Sequence, residues 1–401
     1  MDVWDGYDDE PIVTHDGKNF TSKIYLRDAL DTVAREAFSF SSFPLIIYLK
    51  NHCSLLQQRR MALHIKNIIG HYLITSVLDP KDAKKLMSPH QMKKKIIIAS
   101  QSEVGNYYME TLQRPLPESL SDQSISPYGP RPCSMNSCSS GMMSPNVPVP
   151  KVWHELSQTI AIGFIPKPNS KFREKGAVPT QGVSSINESD VTTMDQYLLR
   201  MFAVHHLIHV HPHNSSLNFD PLPALFRGFQ MVALKFRPWD YHYKLYNGFF
   251  RDNGLCGYLL KPSLSELRKI PAMSLKITVI SGYQLGTGTN DDGCINPYII
   301  LSVHGNEKDT STGQTSIVDK NGMNPVWNEV FTFNISKPDI ALFRVAAVDA
   351  RADRNANVIG QTSIPVRLLR SGFRSVRLEC GKLDSPVLLF QVQVEKIHYI
   401  N

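Results

Sequence analysis

The chain has 401 residues, 42% of them hydrophobic and 20% charged, with a net charge of +7 and a pI near 8.9. That composition excludes wholesale disorder, and the length allows two or three domains. The basic balance favours anionic partners, a membrane surface or nucleic acid, while no run approaches the ~18 apolar residues of a membrane-crossing helix. The best stretch, 38–49, is broken by Ser39, Ser41, Ser42 and Pro44. The acidic start, with Asp2, Asp5, Asp8, Asp9 and Glu10, does not read as a signal peptide. Six cysteines, Cys53, Cys133, Cys138, Cys256, Cys294 and Cys380, show no framework spacing and fit a reducing cytosol.

From residue 1 to about 110, short apolar runs alternate with amphipathic stretches: helices are expected over 25–38 and 55–72, and strands over 44–50 and 95–100. This is the rhythm of β/α units around a parallel sheet. Residues 114–150 are dominated by Pro, Ser, Asn, Met and Gly and offer too little apolar surface to order a core, so they read as a disordered insert or linker. From Val152 the rhythm returns, with strands expected over 205–212, 230–236 and 257–261. From Leu275 it changes to short strands with Gly, Asn and Pro between them: LKITVISG, NPYIILSVHG, TSIVDKNG, VWNEVFTFNI, ALFRVAAVDA, VIGQTSIPV, FRSVRLEC and PVLLFQVQVEKI. Eight such segments predict an antiparallel sandwich of about 120 residues.

The segment Leu45-Ile46-Ile47-Tyr48-Leu49-Lys50-Asn51-His52-Cys53-Ser54 reads as a buried parallel strand whose C-terminal end opens into a site. It resembles an active-site strand of the eukaryotic phosphoinositide-specific phospholipase C family, which ends in Glu-Asn-His-Cys-Ser; the glutamate there coordinates the catalytic calcium, and Lys50 holds its position here. The resemblance extends through Asp2-Val3-Trp4-Asp5-Gly6, Thr14-His15, Thr21-Ser22-Lys23-Ile24, Gln230-Met231-Val232-Ala233-Leu234 and Cys256-Gly257-Tyr258-Leu259-Leu260-Lys261-Pro262. In the last 120 residues, Asn324-Pro325-Val326-Trp327-Asn328 and Val358-Ile359-Gly360 resemble a C2 domain.

The fold implied is α/β: a partial TIM-like (β/α) barrel split by a disordered insert, followed by an all-β C2 sandwich. Its halves fall at 1–110 and 151–271, the linker at 111–150 and the C2 domain at 272–401. Family members carry two further barrel strands, a first catalytic His-Asn pair and a calcium-ligating glutamate ahead of Asp2, so the expectation is an N-terminally truncated fragment.

The resemblance also assigns the chemistry, in which the inositol 2-hydroxyl attacks phosphorus, calcium carries developing charge and two histidines assist. His15 corresponds to the second of these histidines and stands as a remnant. Of the calcium ligands Asp2 survives, while Lys50 brings a cation where a dication would sit, a repulsion on the order of several kcal/mol in a low-dielectric site. The lysines that hold the ring phosphates fall at Ala99 and Gln101. The headgroup serine is kept as Ser185, but the arginine and tyrosine clamp becomes His209 and His211, a weaker and pH-dependent pair. On a strand His209, His211 and His213 would share one face and could hold zinc; a zinc enzyme is thus a further reading, set against drift at a relaxed site. At the C2 calcium tip the matching residues are Asn296, Asp349, Arg351 and Asn357, with Asp291, Asp292 and Asp353 nearby, a degenerate set for calcium.

The expected function is therefore a phospholipase C-like protein of phosphoinositide signalling without hydrolytic activity, acting as a lipid- or protein-binding scaffold, with no cofactor. The alternative is an active calcium-dependent phosphatidylinositol 4,5-bisphosphate phosphodiesterase producing inositol trisphosphate and diacylglycerol, which would carry Glu, Lys, Lys and Arg at Lys50, Ala99, Gln101 and His209. Expected partners are an anionic phosphoinositide membrane, weakly held, and signalling proteins, with no nucleic acid. The location expected is cytoplasmic, with peripheral membrane association.

Overall fold

The computed structural model describes residues 1–14, 22–80, 82–100, 152–168, 182–213, 217–237, 240–261, 271–286, 294–350, 357–380 and 386–397. The expected insert 114–150 and His15 lie outside them. The chain forms two compact units, Met1–Pro166 with Lys175–Val183, and Lys167–Glu174 with Ser184–Asn401.

In the first unit, β1 (Asp2–Trp4), β2 (Ile12–Val13) and β3 (Ile24–Tyr25) lead into helix α1 (Leu26–Glu36). Leu26 and Leu30, one turn apart, are its buried residues. Next come β4 (Leu45–Asn51) and α2 (Leu55–His64). The helix expected to reach residue 72 changes to a π-helical turn at Ile65–Ile69, which still buries Ile65 and Ile69. Strands β5 (Leu73–Ile74), β6 (Leu78–Asp79), β7 (Asp82–Leu86) and β8 (Ile96–Ser100) follow, then α3 (His154–Ser157), β9 (Gly163–Phe164) and β10 (Gly182–Asn187), the last running into the second unit. The sheet order is β3-β2-β1-β4-β8-β5, with β1, β4, β8 and β5 parallel. Every residue of β8 is buried, as expected of a strand covered on both faces. The core joins Val3, Ile47, Leu49, Ile96 and Ile98 of the sheet to Leu26, Leu30, Met61 and Leu156 of the helices.

In the second unit, the end of β10 is followed by α4 (Asp190–Thr193), α5 (Gln196–His205), β11 (Leu207–His211), α6 (Leu222–Phe226), β12 (Met231–Val232) and α7 (Tyr241–Phe249). The strand expected from His205 starts two residues later, because His205 closes α5. The one expected over 230–236 shrinks to Met231–Val232, and 257–261 forms none. Gly257 sits at φ +79°, and the Asn253 side chain holds the Tyr258 carbonyl at 2.9 Å, so this stretch turns instead of extending.

Strands β13 (Ala272–Tyr283), β14 (Pro297–His304), β15 (Ser311–Gln314), β16 (Val326–Ile335), β17 (Leu342–Asp349), β18 (Asn357–Pro365), β19 (Gly372–Arg377) and β20 (Val387–Ile397) complete the chain. They make two four-stranded sheets, β16-β13-β20-β19 and β15-β14-β17-β18. Alternate residues such as Leu275, Ile277, Val279, Leu301, Val345 and Phe390 fill the space between them. One of the eight expected strands is displaced: 315–322 is irregular and the strand lies at Ser311–Gln314. Beyond Gln314 the backbone bonds to β14 are spaced, Thr315 N–H to Ile299 O and Val318 N–H to Pro297 O, both 3.0 Å.

Within this unit α7 packs against the second sheet. The buried Lys244 ammonium and Arg251 both pair with Glu379, and Arg367 pairs with Asp252. Gly248 is close enough to Ser363 that a Cβ there would lie 2.4 Å from the serine Cβ, so only glycine fits. Tyr241 lies under the Arg344 guanidinium at 4.5 Å, and its hydroxyl meets His304 Nε2 at 3.2 Å. Burial, reinforced by Arg344, pushes the His304 imidazole down from 6.5 to about 4, with Asp220 opposing and His242 adding to the shift.

A sign follows. Above pH 6.5 the ring is neutral in folded and unfolded chains alike; below it the unfolded chain takes a proton that the folded ring refuses until about 4. Stability is therefore lost as pH falls through that window, by roughly 3 kcal/mol in all at 1.36 kcal/mol per unit. Urea denaturation at about pH 7 and about pH 4.5 should show a smaller acid loss for His304→Gln than for the parent.

Candidate functional site

The first unit brings two of the expected residues together. Parallel pairing of β1 and β4 sets Asp2 opposite Lys50 and Val3 opposite Asn51, with Lys50 Nζ 3.9 Å from Asp2 Oδ1. The strand ends continue into polar turns. Asn51 Oδ1 accepts from Cys53 N–H at 3.1 Å, and the His52 ring stacks on Trp4 with centroids 4.0 Å apart. Asp5 accepts from both the backbone N–H and the hydroxyl of Ser54 at 2.9 and 3.1 Å. Burial, with Asp5 adding, pushes the Cys53 thiol up to about 12, so it packs as a neutral group.

Two glutamines of α2 are buried anchors. Gln57 exchanges hydrogen bonds with the Gly6 backbone at 3.0 and 2.9 Å. Gln58 donates to Cys53 O at 2.8 Å and accepts from Trp153 N–H at 2.8 Å. The signal available in the sequence was their place directly after the strand end, where a loop needs fixed hydrogen-bond partners. Ala99 is fully buried in β8; Gln101 is outside the described residues.

The second unit holds another cluster. Ser185 on β10 and His209 and His211 on β11 meet through the serine hydroxyl, which lies 3.2 Å from His209 Nδ1 and 3.1 Å from His211 Nδ1. The rings are near parallel, 14° apart with centroids 6.0 Å apart. A hydroxyl has one proton to give, so with both rings neutral one imidazole accepts at Nδ1 and the other donates, which leaves the two Nε2 atoms with opposite roles. Asp190 opens α4 beside this pair. Partial burial works against its charge, but the Lys167 ammonium at 2.7 Å and the Asn187 N–H at 2.9 Å hold its carboxyl below the ordinary range. Gln230 ties the strand start, accepting from Ile208 N–H and donating to Ala203 O and His206 O. Lys261 donates to Ala203 O at 2.6 Å, and burial lowers its ammonium to about 8.

His213 lies past the end of β11, so the three imidazoles considered for zinc do not share one strand face. Among the described residues no group of three or more His, Cys, Asp or Glu side chains is arranged to hold a metal.

At the C2 tip Asp349 is buried and its Oδ1 accepts from Asn296 N–H at 2.9 Å. Asn296 Oδ1 accepts from Lys320 N–H at 2.8 Å, and Asn357 pairs with Asp349 across β17 and β18. The carboxylate thus fastens one loop and the asparagine another. Arg351, Asp291, Asp292 and Asp353 are outside the described residues.

Two parallel half-barrel segments with polar strand ends, followed by a two-sheet sandwich, define the class. Residues 1–102 match the X domain and 156–264 the Y domain of phosphatidylinositol-specific phospholipase C, and 273–378 match the C2 domain. The chain belongs to the phosphoinositide-specific phospholipase C family. It is 32% identical over 410 residues to human 1-phosphatidylinositol 4,5-bisphosphate phosphodiesterase delta-1, covering 94% of this chain and 52% of that protein. The delta-3-A form of Danio rerio is 30% identical, with 97% and 52% covered. The crystal structure of L. pealei PLC21 superposes over 100% of this chain and 51% of its own, with a TM-score of 0.75 at 22% identity, and shares the fold. The chain spans about half the length of these relatives. Its fold is that of the split TIM-like catalytic barrel followed by the C2 sandwich. Among the described residues no helix is long and apolar enough to cross a membrane.

Calcium, which the family implies, prefers six to eight hard oxygen ligands. One carboxylate facing an ammonium at 3.9 Å does not fit it.

Replacing Ser185 with alanine should remove the shared hydroxyl and leave a ring N–H without that acceptor. An unsatisfied buried donor costs about 1–3 kcal/mol, so the urea midpoint should fall, and Ser185→Thr, which keeps the hydroxyl, should recover most of it.

Proposed function

We propose that this chain is a phospholipase C-like protein of phosphoinositide signalling that does not hydrolyse phosphoinositides and works as a lipid- or protein-binding scaffold. The observation that carries the reading is the Lys50–Asp2 pair. The ammonium takes up the charge of the one family carboxylate retained there, at the register position where the resemblance places a second calcium-binding carboxylate. Transition-state charge in phosphodiester cleavage needs a preorganised cation at the reacting phosphate, and a lysine already paired to a carboxylate is a poor substitute for calcium.

The substrate side supports the same reading. Ala99 brings a methyl where the resemblance expects a phosphate-binding lysine. Ser185 is turned to His209 and His211, which take the places of an arginine and a tyrosine. Imidazole gives neither the fixed charge nor the bidentate fork of a guanidinium. His15 is left in this reading as a remnant without catalytic work. The partners proposed are an anionic phosphoinositide membrane, held weakly, and signalling proteins; the location proposed is cytoplasmic, with peripheral membrane association. No cofactor is proposed.

Incubated with mixed micelles of phosphatidylinositol 4,5-bisphosphate and calcium, the chain should release no more inositol trisphosphate than buffer does. Calcium-dependent release would overturn the reading in favour of the active phosphodiesterase.

The degenerate sites lead to a second expectation. A site of micromolar affinity would raise stability by roughly 4 kcal/mol at a thousandfold excess of ligand. The melting temperature of the chain in millimolar calcium should equal that in chelator; a rise of several degrees would show a working calcium site.

A further inference from the structure

The sandwich ends one of its sheets in an unusual edge. Strand β19 is the terminal strand of β16-β13-β20-β19, and all of its residues except Val376 are exposed. Phe373 is 66% exposed, Leu368 just before the strand 42%, and Leu389 on β20 38%. Their placement follows from the register. Phe373 pairs with Gln391, Ser375 with Leu389 and Arg377 with Val387. By strand alternation Phe373, Ser375 and Arg377 stand on one face, with Leu389 beside them, while Val376 points to the core.

Four arginines fall within eleven residues, Arg367, Arg370, Arg374 and Arg377. Arg367 is paired with Asp252. Arg374 is fixed by its own turn, donating to Phe373 O at 2.9 Å and Ser371 O at 2.7 Å, a turn that Gly372 makes at φ +116°. Those bonds use two of five guanidinium donors and go to neutral carbonyls. Among the described residues, Arg370, Arg374 and Arg377 form no ion pair. The carboxylate closest along the chain, Glu379, is already held by Lys244 and Arg251.

We infer that this edge, Leu368 to Arg377 with Leu389, is a calcium-independent docking surface for an anionic phospholipid bilayer. Charge complementarity chooses the occupant. Arg377 shares the outer face with Phe373, Arg370 and Arg374 stand along the same edge, and a negatively charged interface suits both characters at once: headgroup phosphates meet the arginines while Phe373 enters the acyl boundary. An added protein strand is disfavoured, because charged side chains along an edge oppose strand pairing. The inference rests on the scaffold reading and assigns it a membrane-facing edge of the sandwich made of residues other than Asn296 and Asp349.

The test is sedimentation of the full chain with vesicles in chelator. Vesicles of phosphatidylcholine with about one-third phosphatidylserine should bind it, those of phosphatidylcholine alone should not, and added salt should weaken the binding, as expected of a surface-potential attraction. At about 1 kcal/mol per basic residue, the double variant Arg370→Ala with Arg377→Ala should lower partitioning at least about tenfold. Phe373→Ala, exposed and outside the core, should lower it severalfold with an unchanged melting temperature. A control with the same loss of charge, Lys93→Ala with Lys94→Ala, should bind as the parent does. Failure to bind in chelator, binding indifferent to the edge variants, or an equal loss in the control would overturn the inference. Each of those results would leave the micelle assay unaffected, so the absence of hydrolysis stands or falls separately.

Discussion

Strand pairing is the constraint on which both half-barrel sites depend. Parallel neighbours run in the same direction, so their C-terminal ends lie together, and polar residues that follow separate apolar runs become neighbours without any local sequence signal joining them. Asp2 and Lys50 meet in this way in the first unit; in the second, the neighbouring strands β10 and β11 bring Ser185 to His209 and His211. In the first unit the apolar runs Leu45–Leu49 and Ile96–Ile98 supply the burial that keeps the register in place.

Around these strand ends the chain uses neutral, hydrogen-bonded anchors more than charge. Gln57 and Gln58 each bind two backbone groups and Gln230 three, and at the C2 tip Asp349 holds the loop at Asn296 while Asn296 holds the one at Lys320. The architecture of a phosphoinositide-specific phospholipase C is thus held by residues that shape loops, and on the proposed reading the calcium-binding and phosphate-binding positions are the ones that changed, to Lys50, Ala99, His209 and His211. On that reading scaffold and chemistry diverge because packing tolerates a charge reversal at a partly exposed strand end, whereas a cation site would not.

The second unit shows a different kind of dependence. Helix α7 is fastened to the sandwich by the buried Lys244 ammonium on Glu379 and by the glycine contact at Gly248. A buried ion pair contributes little net stability, but loss of either partner leaves an uncompensated charge, so the arrangement favours one register of helix on sheet. Glu379 is thereby withdrawn from the arginine-rich edge that follows β18, and that edge keeps its positive charge.

Much of the fold was legible in the sequence because periodicity reports burial. The alternation of Leu275 to Ile335 and of Leu342 to Ile397 marked nearly every strand of the sandwich, the run at Leu45 marked a parallel strand, and the motif at Asn324 to Asn328 marked the C2 domain. Lys50 was legible as a charge out of place against the family pattern. What periodicity could not report was where a pattern stops being used. Residues 315–322 and 257–261 have the composition of strands, yet they lack a continuous partner ladder, and a strand exists only with its partner. Tertiary structure alone decided that Lys50 reaches Asp2 at 3.9 Å, that one serine hydroxyl joins two imidazoles, and that Arg370, Arg374 and Arg377 are exposed with no ion pair among the described residues. Distances between side chains far apart in sequence are set by sheet register and helix packing, and these are properties of the folded chain.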